Sequence, residues 1–393
     1  MYKNTIGTKS IHLSLSRTLS NDSSNKLNFS KVLVLTKLSM YEYERYRHSK
    51  LSDEQFRKEV TKVGLDYDKL LYFYNLHKSF EKKVCQTLKT AGVDFKITNR
   101  MDYSNSLIDW ADVVMPVGGD GTFLLAASKI VNNKKTVIGF NSDPNKSEGY
   151  LCLPKRYTED TKEAIERLQQ GQFNWLHRSR IRITVQGAKK SIRPTHLHPT
   201  FFESNSDLQQ HRHFSVFPES EILPILALNE VFIGESLSAR VSYLEIRLND
   251  SKTVTNMKCS GLCVATGTGS TSWHLSINRI PQEYIRNILE FARSNNVVDK
   301  SKEVSELYNK NLIFRPDDER LSYTIRDLIC GGVWPQPKGI KPRDFCSKIS
   351  VRSKCVDACL VVDGGMYVSF DNTCTTMLEI CPEDSLRTVV FSN

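Results

Sequence analysis

The chain has 393 residues and a formal net charge of +10, from 54 Lys and Arg against 44 Asp and Glu. That length accommodates two domains and a sizeable core. No apolar run approaches the roughly 20 residues a membrane span needs, and no basic block marks a nucleic-acid partner, so neither partner is expected.

Residues 1–30 hold Lys3, Lys9, Arg17 and Lys26 but only one acid, Asp22, in a Ser- and Thr-rich stretch. They lack the continuous apolar segment of a secretory signal. Acid-poor, Ser-rich and basic composition is that of a mitochondrial transit peptide. Lys31 to Leu38 then reads as a buried parallel strand, and Tyr41 to Val63 as a polar helical stretch. Leu76, Phe80, Val84 and Leu88 recur every fourth residue, the apolar stripe of a helix that Ala91-Gly92 ends. Val93 to Ile97 is a second strand, Ser106 to Trp110 a short helix, and Asp112 to Pro116 a third strand. Thr136 to Phe140 makes a fourth. Strands alternating with helices predict a doubly wound, Rossmann-like parallel sheet over residues 31–150.

Beyond about Pro154 the pattern changes. One helix is expected near Glu159–Gln170, and period-2 runs follow at Ile181–Val185 and Ala239–Leu248, so residues 151–379 read as a β-rich, sandwich-like second domain. Arg178, Arg180 and Arg182 read as a solvated strand face. Residues 186–223 are polar and aperiodic. They contain His196, His198, His211 and His213 together with Pro194, Pro199 and Pro218, and read as a surface insertion rather than a metal cluster. Gln282 to Tyr308 is a charged helical excursion, and Val361 to Val368 a hairpin turning at Asp363-Gly364. The ten cysteines lack disulfide-scaffold or zinc spacing; Cys259-x3-Cys263 and Cys355-x3-Cys359 read as reduced thiols of a reducing compartment.

Three segments carry chemistry. Gly118, Gly119, Asp120, Gly121 and Thr122 lie between the third strand and the helix-like Phe123–Ile130. Glycines let a phosphate approach the backbone, and the following helix N-terminus aims N–H groups at it. Asp120 would repel phosphate unless it accepts a proton or holds a cation, which points to phosphoryl transfer to a hydroxyl. The second segment is Asn229-Glu230, a polar pair opening a β run. The third is Thr266-Gly267-Thr268-Gly269-Ser270-Thr271-Ser272-Trp273, small residues able to hug a nucleotide and ending in an aromatic face. The P-loop, the dinucleotide fingerprint and the protein-kinase motifs are absent.

The Gly-Gly-Asp-Gly-Thr loop resembles those of NAD kinases, of diacylglycerol- and sphingosine-type lipid kinases and, more loosely, of 6-phosphofructokinases. Asn229-Glu230 followed by the Thr266–Thr271 loop resembles NAD kinases in order and placement. Gly139–Pro154, Ala227–Arg240 and Arg352–Gly365 look like the mitochondrial branch of that family, and the resemblance runs from about Lys31 to the end. It implies the NAD kinase/diacylglycerol kinase-like fold, with residues 380–393 returning to the first domain. It also implies ATP-dependent phosphorylation of the adenosine 2′-hydroxyl of NAD in the mitochondrial matrix, with Mg²⁺ or another divalent cation, by a homodimer.

By the same resemblance Asp120 is the base. Gly118, Gly119, Gly121, Thr122, Thr268, Gly269 and Ser270 face ATP phosphates. Asn229, Glu230, Thr271, Ser272, Trp273 and Ser260 face NAD. No protein metal ligand set is expected. The chain departs from the family pattern at Ser260, where most bacterial members carry an aspartate at the nicotinamide end. It also departs at Gly267 (usually proline), at Trp273 (usually tyrosine) and at Ser142-Asp143-Pro144. A lipid kinase or a non-catalytic dinucleotide-binding protein are the alternatives; the paired second and third segments argue against the first, and Asp120 against the second.

Overall fold

The computed structural model describes residues 26–187, 194–197, 220–237, 239–332 and 337–391. The expected transit peptide lies almost wholly outside them, as do most of the 186–223 insertion and His198, His211 and His213.

The first layer is a parallel sheet flanked by helices. In chain order it contains β1 (Lys31–Thr36), α1 (Met40–Arg47), α2 (Asp53–Lys62), α3 (Tyr67–Thr90), β2 (Asp94–Thr98), α4 (Asn105–Trp110), β3 (Val113–Gly118) and α5 (Asp120–Ser128). β4 (Thr136–Val137), β5 (Phe140–Asn141), α6 (Arg156–Glu159), α7 (Thr161–Gln169) and β6 (Asn174–Arg178) complete its continuous part. The strand order is β2-β1-β3-β4, then the C-terminal β20 (Leu386–Val390), then β6, with β5 also on β3. All pairs are parallel except β20 with β6. The first layer therefore runs on to Arg178, past the expected boundary at 150.

Local chemistry explains the helix ends. The polar stretch Tyr41–Val63 is two helices rather than one, because Ser39 with Glu42 and Ser52 with Gln55 each form a capping box. In α3 the buried stripe is His77, Phe80, Val84 and Leu88, with Leu76 facing outward. The fourth strand is interrupted, since β4 pairs with the start of β3 and β5 with its end. Val32, Val34, Val113, Met115 and Val117 pack on one side of the sheet with α3, while Leu33, Leu35 and Val114 pack on the other with α5.

The second domain is two antiparallel sheets. One has the order β15-β14-β13-β10-β17-β18-β8, from β8 (Thr195–His196), β10 (Glu230–Glu235), β13 (Gly261–Ala265), β14 (Leu321–Arg326), β15 (Arg343–Cys346), β17 (Ala358–Val362) and β18 (Met366–Ser369). The other, β12-β11-β16-β19-β7-β9, uses β7 (Ile181–Gln186), β9 (Ser220–Ala227), β11 (Ser242–Leu248), β12 (Thr255–Cys259), β16 (Lys348–Ser353) and β19 (Thr375–Ile380). Ile183, Val231, Leu262, Tyr323, Ile349 and Leu360 share the apolar layer between them. A short α8 (Trp273–Asn278) leads to the helical excursion, a hairpin of α9 (Gln282–Phe291) and α10 (Val297–Lys310) inserted before β14. All ten cysteines are unpaired.

The arginine run corrects its expected solvated face. Arg178 and Arg180 are buried, and only Arg182 is partly exposed, paired with Glu383 and Asp384. Arg178 closes β6 and Arg182 lies in β7, so the run is a bend between domains, not one strand face. Arg180 donates to the carbonyls of Ile130, Asn132 (3.4 Å) and Asp384 (2.5 Å), tying the end of α5 to the segment that returns as β20. Replacing it leaves three carbonyls with fewer partners. Arg180→Met is expected to destabilise by about 3 kcal/mol and lower the melting temperature by about 6–12 °C, read by calorimetry.

Candidate active site

The glycine loop sits where the parallel strands end. Gly118 closes β3 and pairs with Asn141, Gly119 is the N-cap of α5, and Asp120 is its first residue. The first N–H groups of a helix have no acceptor within it and point outward, with the positive end of the helix dipole behind them. A cavity of about 530 Å³ opens in front, lined by Lys37, Ser39, Arg100, Gly119, Asp120, Gly121, Thr122 and Ser147. Lys37 and Arg100 make its rim cationic. A polar chain supports the rim from below: His77 is buried between Thr36 (2.9 Å) and Ser142 (3.0 Å), and burial lowers its pKa. The Ser142 N–H in turn donates to Gly118 O at 2.7 Å.

Asp120 is fixed by the turn after β5. Its two carboxylate oxygens accept the backbone N–H groups of Leu151 (2.9 Å) and Tyr150 (3.2 Å). Each oxygen keeps a second lone pair for a ligand.

Asn229 and Glu230 open β10 beneath α5. One carboxylate holds this corner: Asp363, at the β17–β18 turn, accepts N–H bonds from Leu228 (2.8 Å), Asn229 (2.7 Å) and Glu230 (3.1 Å). Asp363 and Gly364 both have positive φ, as the tight turn requires. Asp363, which the sequence announced only as part of a turn, is the residue that holds this corner. Burial raises its pKa to about 6, against the three N–H bonds. The Asn229 side chain donates to Ser272 Oγ at 3.0 Å, while its Oδ1 and Glu230 Oε2 are buried without a partner. Buried polar atoms without partners are rare in folded proteins, which marks these two out.

The third segment packs directly on this corner. Thr266 donates through its N–H to Asn229 O (2.9 Å) and through its hydroxyl to Leu228 O (2.6 Å). A Cβ on Gly269 would fall 2.0 Å from Asn229 O, and one on Gly267 would fall 1.6 Å from Arg315 O, so both positions exclude a side chain here. The loop also corrects two expectations. Gly269 donates its N–H to Thr266, and the buried Ser270 hydroxyl is taken up by Gly267 O and the Phe314 N–H, so these residues shape the loop rather than face phosphate. Thr268 accepts from Arg178 at 3.4 Å. Thr271 and Ser272 are half-buried, and Trp273, 36% exposed, leans on Phe232 at 4.5 Å with ring surface left open. Ser260 lies apart. Glu230 pairs with Ala265 and Ile233 with Leu262, so Ser260, just before β13, sits about 16 Å along the strand direction from the level of Glu230.

Glu230 is the strained group. Burial, then the nearby Asp363 charge, pushes its pKa to about 8. An acid whose pKa is raised by folding contributes stability that is full below its unfolded value and is lost as pH rises through the folded value. Glu230→Gln is therefore expected to gain about 5 °C or more in melting temperature over the parent between pH 5 and pH 8.5. A difference that stays constant across that range contradicts the assignment.

No protein-family model matches the chain. It is 38% identical over 380 residues to a rat protein named NAD kinase 2, mitochondrial, covering 92% of this chain and 88% of that relative. The human protein of that name is 38% identical over 383 residues, 92% of this chain and 84% of the relative. Among solved structures the chain resembles an Archaeoglobus fulgidus NAD kinase in complex with ATP, at a TM-score of 0.50 and 18% identity over 92% of this chain and 94% of that one. It also resembles yeast NADH kinase complexed with NADH, at 0.51 and 14% over 93% and 84%. These two likenesses concern the fold alone. By its full-length relatives, the chain belongs to the mitochondrial branch of the NAD kinase family.

Proposed function

We propose that this protein transfers the γ-phosphoryl group of ATP to the adenosine 2′-hydroxyl of NAD, forming NADP in mitochondria, with Asp120 as the base. The observation that carries the assignment of Asp120 is its placement: a carboxylate pinned by two N–H groups at a helix N-terminus, lining a cavity with Lys37 and Arg100. A sugar hydroxyl is a weak nucleophile at neutral pH. Asp120 orients its lone pair and accepts its proton as the oxygen attacks phosphorus.

Gly118, Gly119, Gly121, Thr122 and Thr268 are assigned to the donor phosphates. Asn229 and Glu230 are assigned to the adenosine half of NAD, with Thr271, Ser272 and Trp273 beside it. Glu230 Oε2 and Asn229 Oδ1, both without a partner in the protein, are the atoms assigned to bond it. Ser260, just before the start of β13, is assigned to the nicotinamide half.

Among the described residues no cluster of three or more His, Cys, Asp or Glu could cage a metal. Asp120 beside the glycine loop fits instead a cation held mostly by the donor's own phosphates, as Mg²⁺ usually is. Such a cation supplies charge neutralisation of the phosphates. A matrix location and a homodimer complete the proposal. Unpaired thiols suit the first, and Tyr284, Ile288 and Phe291, exposed on α9, offer apolar surface for the second.

Asp120→Asn is expected to lower turnover by about 10²–10⁴-fold while NAD affinity stays within a few-fold. Near-normal turnover removes Asp120 as the base. Asn229→Ala is expected to raise the KM for NAD by about tenfold, with kcat less affected. An unchanged KM reduces the pair to a structural role. Diacylglycerol serves as the control acceptor and is expected to remain unphosphorylated.

A further inference from the structure

Three arginines sit at alternate positions in the bend between the domains, and two of them are satisfied. Arg182 is held by Glu383 and Asp384, and Arg180 by three backbone carbonyls. Arg178 is not. It is 7% exposed, its Nε has no partner, and its Nη1 reaches only the neutral hydroxyl of Thr268 at a long 3.4 Å. It takes part in no ion pair among the described residues. A guanidinium carries five N–H donors and cannot shed its charge at neutral pH, so a buried and half-empty one is costly. A structural arginine is pinned as Arg180 is. An arginine left open in this way is complementary to an anion that arrives later.

Its surroundings say which anion. Burial lowers the Arg178 pKa to about 10, and Asp120 is the largest of the charges that oppose the shift, followed by Cys152 and Asp317. Asp317 is already engaged by both nitrogens of Arg315, at 2.8 and 2.7 Å. Asp120 bonds to Tyr150 and Leu151 and makes no hydrogen bond or ion pair with Arg178. Neither carboxylate fills the open donors. Arg178 thus touches Thr268 of the second domain and lies close enough to Asp120 of the first for that charge to act on it. Lys37 and Arg100 lie on the cavity rim instead, and no P-loop lysine exists to do this work.

We propose that Arg178 is a catalytic residue, whose open N–H groups grip non-bridging oxygens of the donor's terminal phosphate during transfer. This rests on the reading of the site as an ATP-dependent kinase. The 2′-oxygen forms the new bond to phosphorus, and its proton goes to Asp120. The bond from phosphorus to the bridging oxygen breaks, and the electron pair leaves with ADP. Charge on the transferred group's three outer oxygens is met by the guanidinium, which a planar fork does better than a point charge.

The test compares Arg178→Met, Arg178→Lys and Arg178→Ala with the parent. Four readouts are taken: NADP formation, NAD affinity and tripolyphosphate affinity by calorimetry, and melting temperature. Arg178→Met is expected to lose about 10²–10³-fold in kcat and about tenfold in tripolyphosphate affinity. Its NAD affinity stays within about threefold, and its melting temperature does not fall. Arg178→Lys keeps the charge without the fork and is expected in between. Millimolar guanidinium should restore part of the turnover of Arg178→Ala.

Arg178→Met that turns over and binds tripolyphosphate like the parent overturns the proposal. So does a loss in all three variants that comes with a lower melting temperature and resists guanidinium. A parent that forms no NADP but binds tripolyphosphate through Arg178 refutes the assigned reaction and leaves the phosphate contact standing. A parent that binds no tripolyphosphate overturns the contact itself.

Discussion

Three successive backbone N–H groups, those of Leu228, Asn229 and Glu230, converge on the single buried carboxylate of Asp363. The rest of the site depends on that contact. It fixes the corner where β9 becomes β10, and the corner then dictates its neighbours. Thr266 bonds to both of its free carbonyls, and Gly269 must lack a side chain because Asn229 O lies where a Cβ would be. Leu228, on the same corner, is buried with Phe123 and Ala126 of α5, so the β domain is seated against the helix that begins at Asp120. One hairpin turn in the second domain thereby sets how the Asn229 corner sits against the helix that begins at Asp120.

The site concentrates unfavourable charge at this seat. Glu230 and Asp363 are buried acids near one another, and both have raised pKa values. Asn229 Oδ1 and Glu230 Oε2 lack partners, as does Arg178 Nε. A fold selected for stability alone would fill these positions with apolar residues or pairs. Unfilled donors and acceptors of both signs, gathered where two domains meet, are what a polar, anionic dinucleotide and a triphosphate would complete. The folded protein holds the groups in place beforehand, so little reorganisation is needed when the substrates arrive.

Much of this was legible in the sequence, though not evenly. The Gly118–Thr122 loop, placed between an apolar strand and a helix, carried its own structural context, and alternation located the β domain. The corner Asn229-Glu230 and the Thr266–Trp273 loop were visible as unusual polar and small residues. What escaped were contacts between distant segments. Asp363-Gly364 has the composition of a tight turn, and nothing local says that its carboxylate reaches residues more than 130 positions earlier. Arg178 and Arg180 alternate like a solvated strand face, but the bend between domains buries both. Helix α3 follows the stripe of Phe80, Val84 and Leu88, yet turns His77 inward instead of Leu76, because Thr36 and Ser142 offer the imidazole two partners. Gly269 and Ser270 look like phosphate ligands until their bonds are traced within their own loop.

The central claim is that the two domains together present one hydroxyl to one phosphate. The most direct measurement is phosphorus NMR of the product formed by the purified chain from ATP and NAD. The account predicts a single new phosphomonoester on the 2′-oxygen of the adenosine ribose, formed in step with ADP. A phosphate on the 3′-oxygen, a mixture of positions, or ATP consumption with NAD unmodified would contradict it.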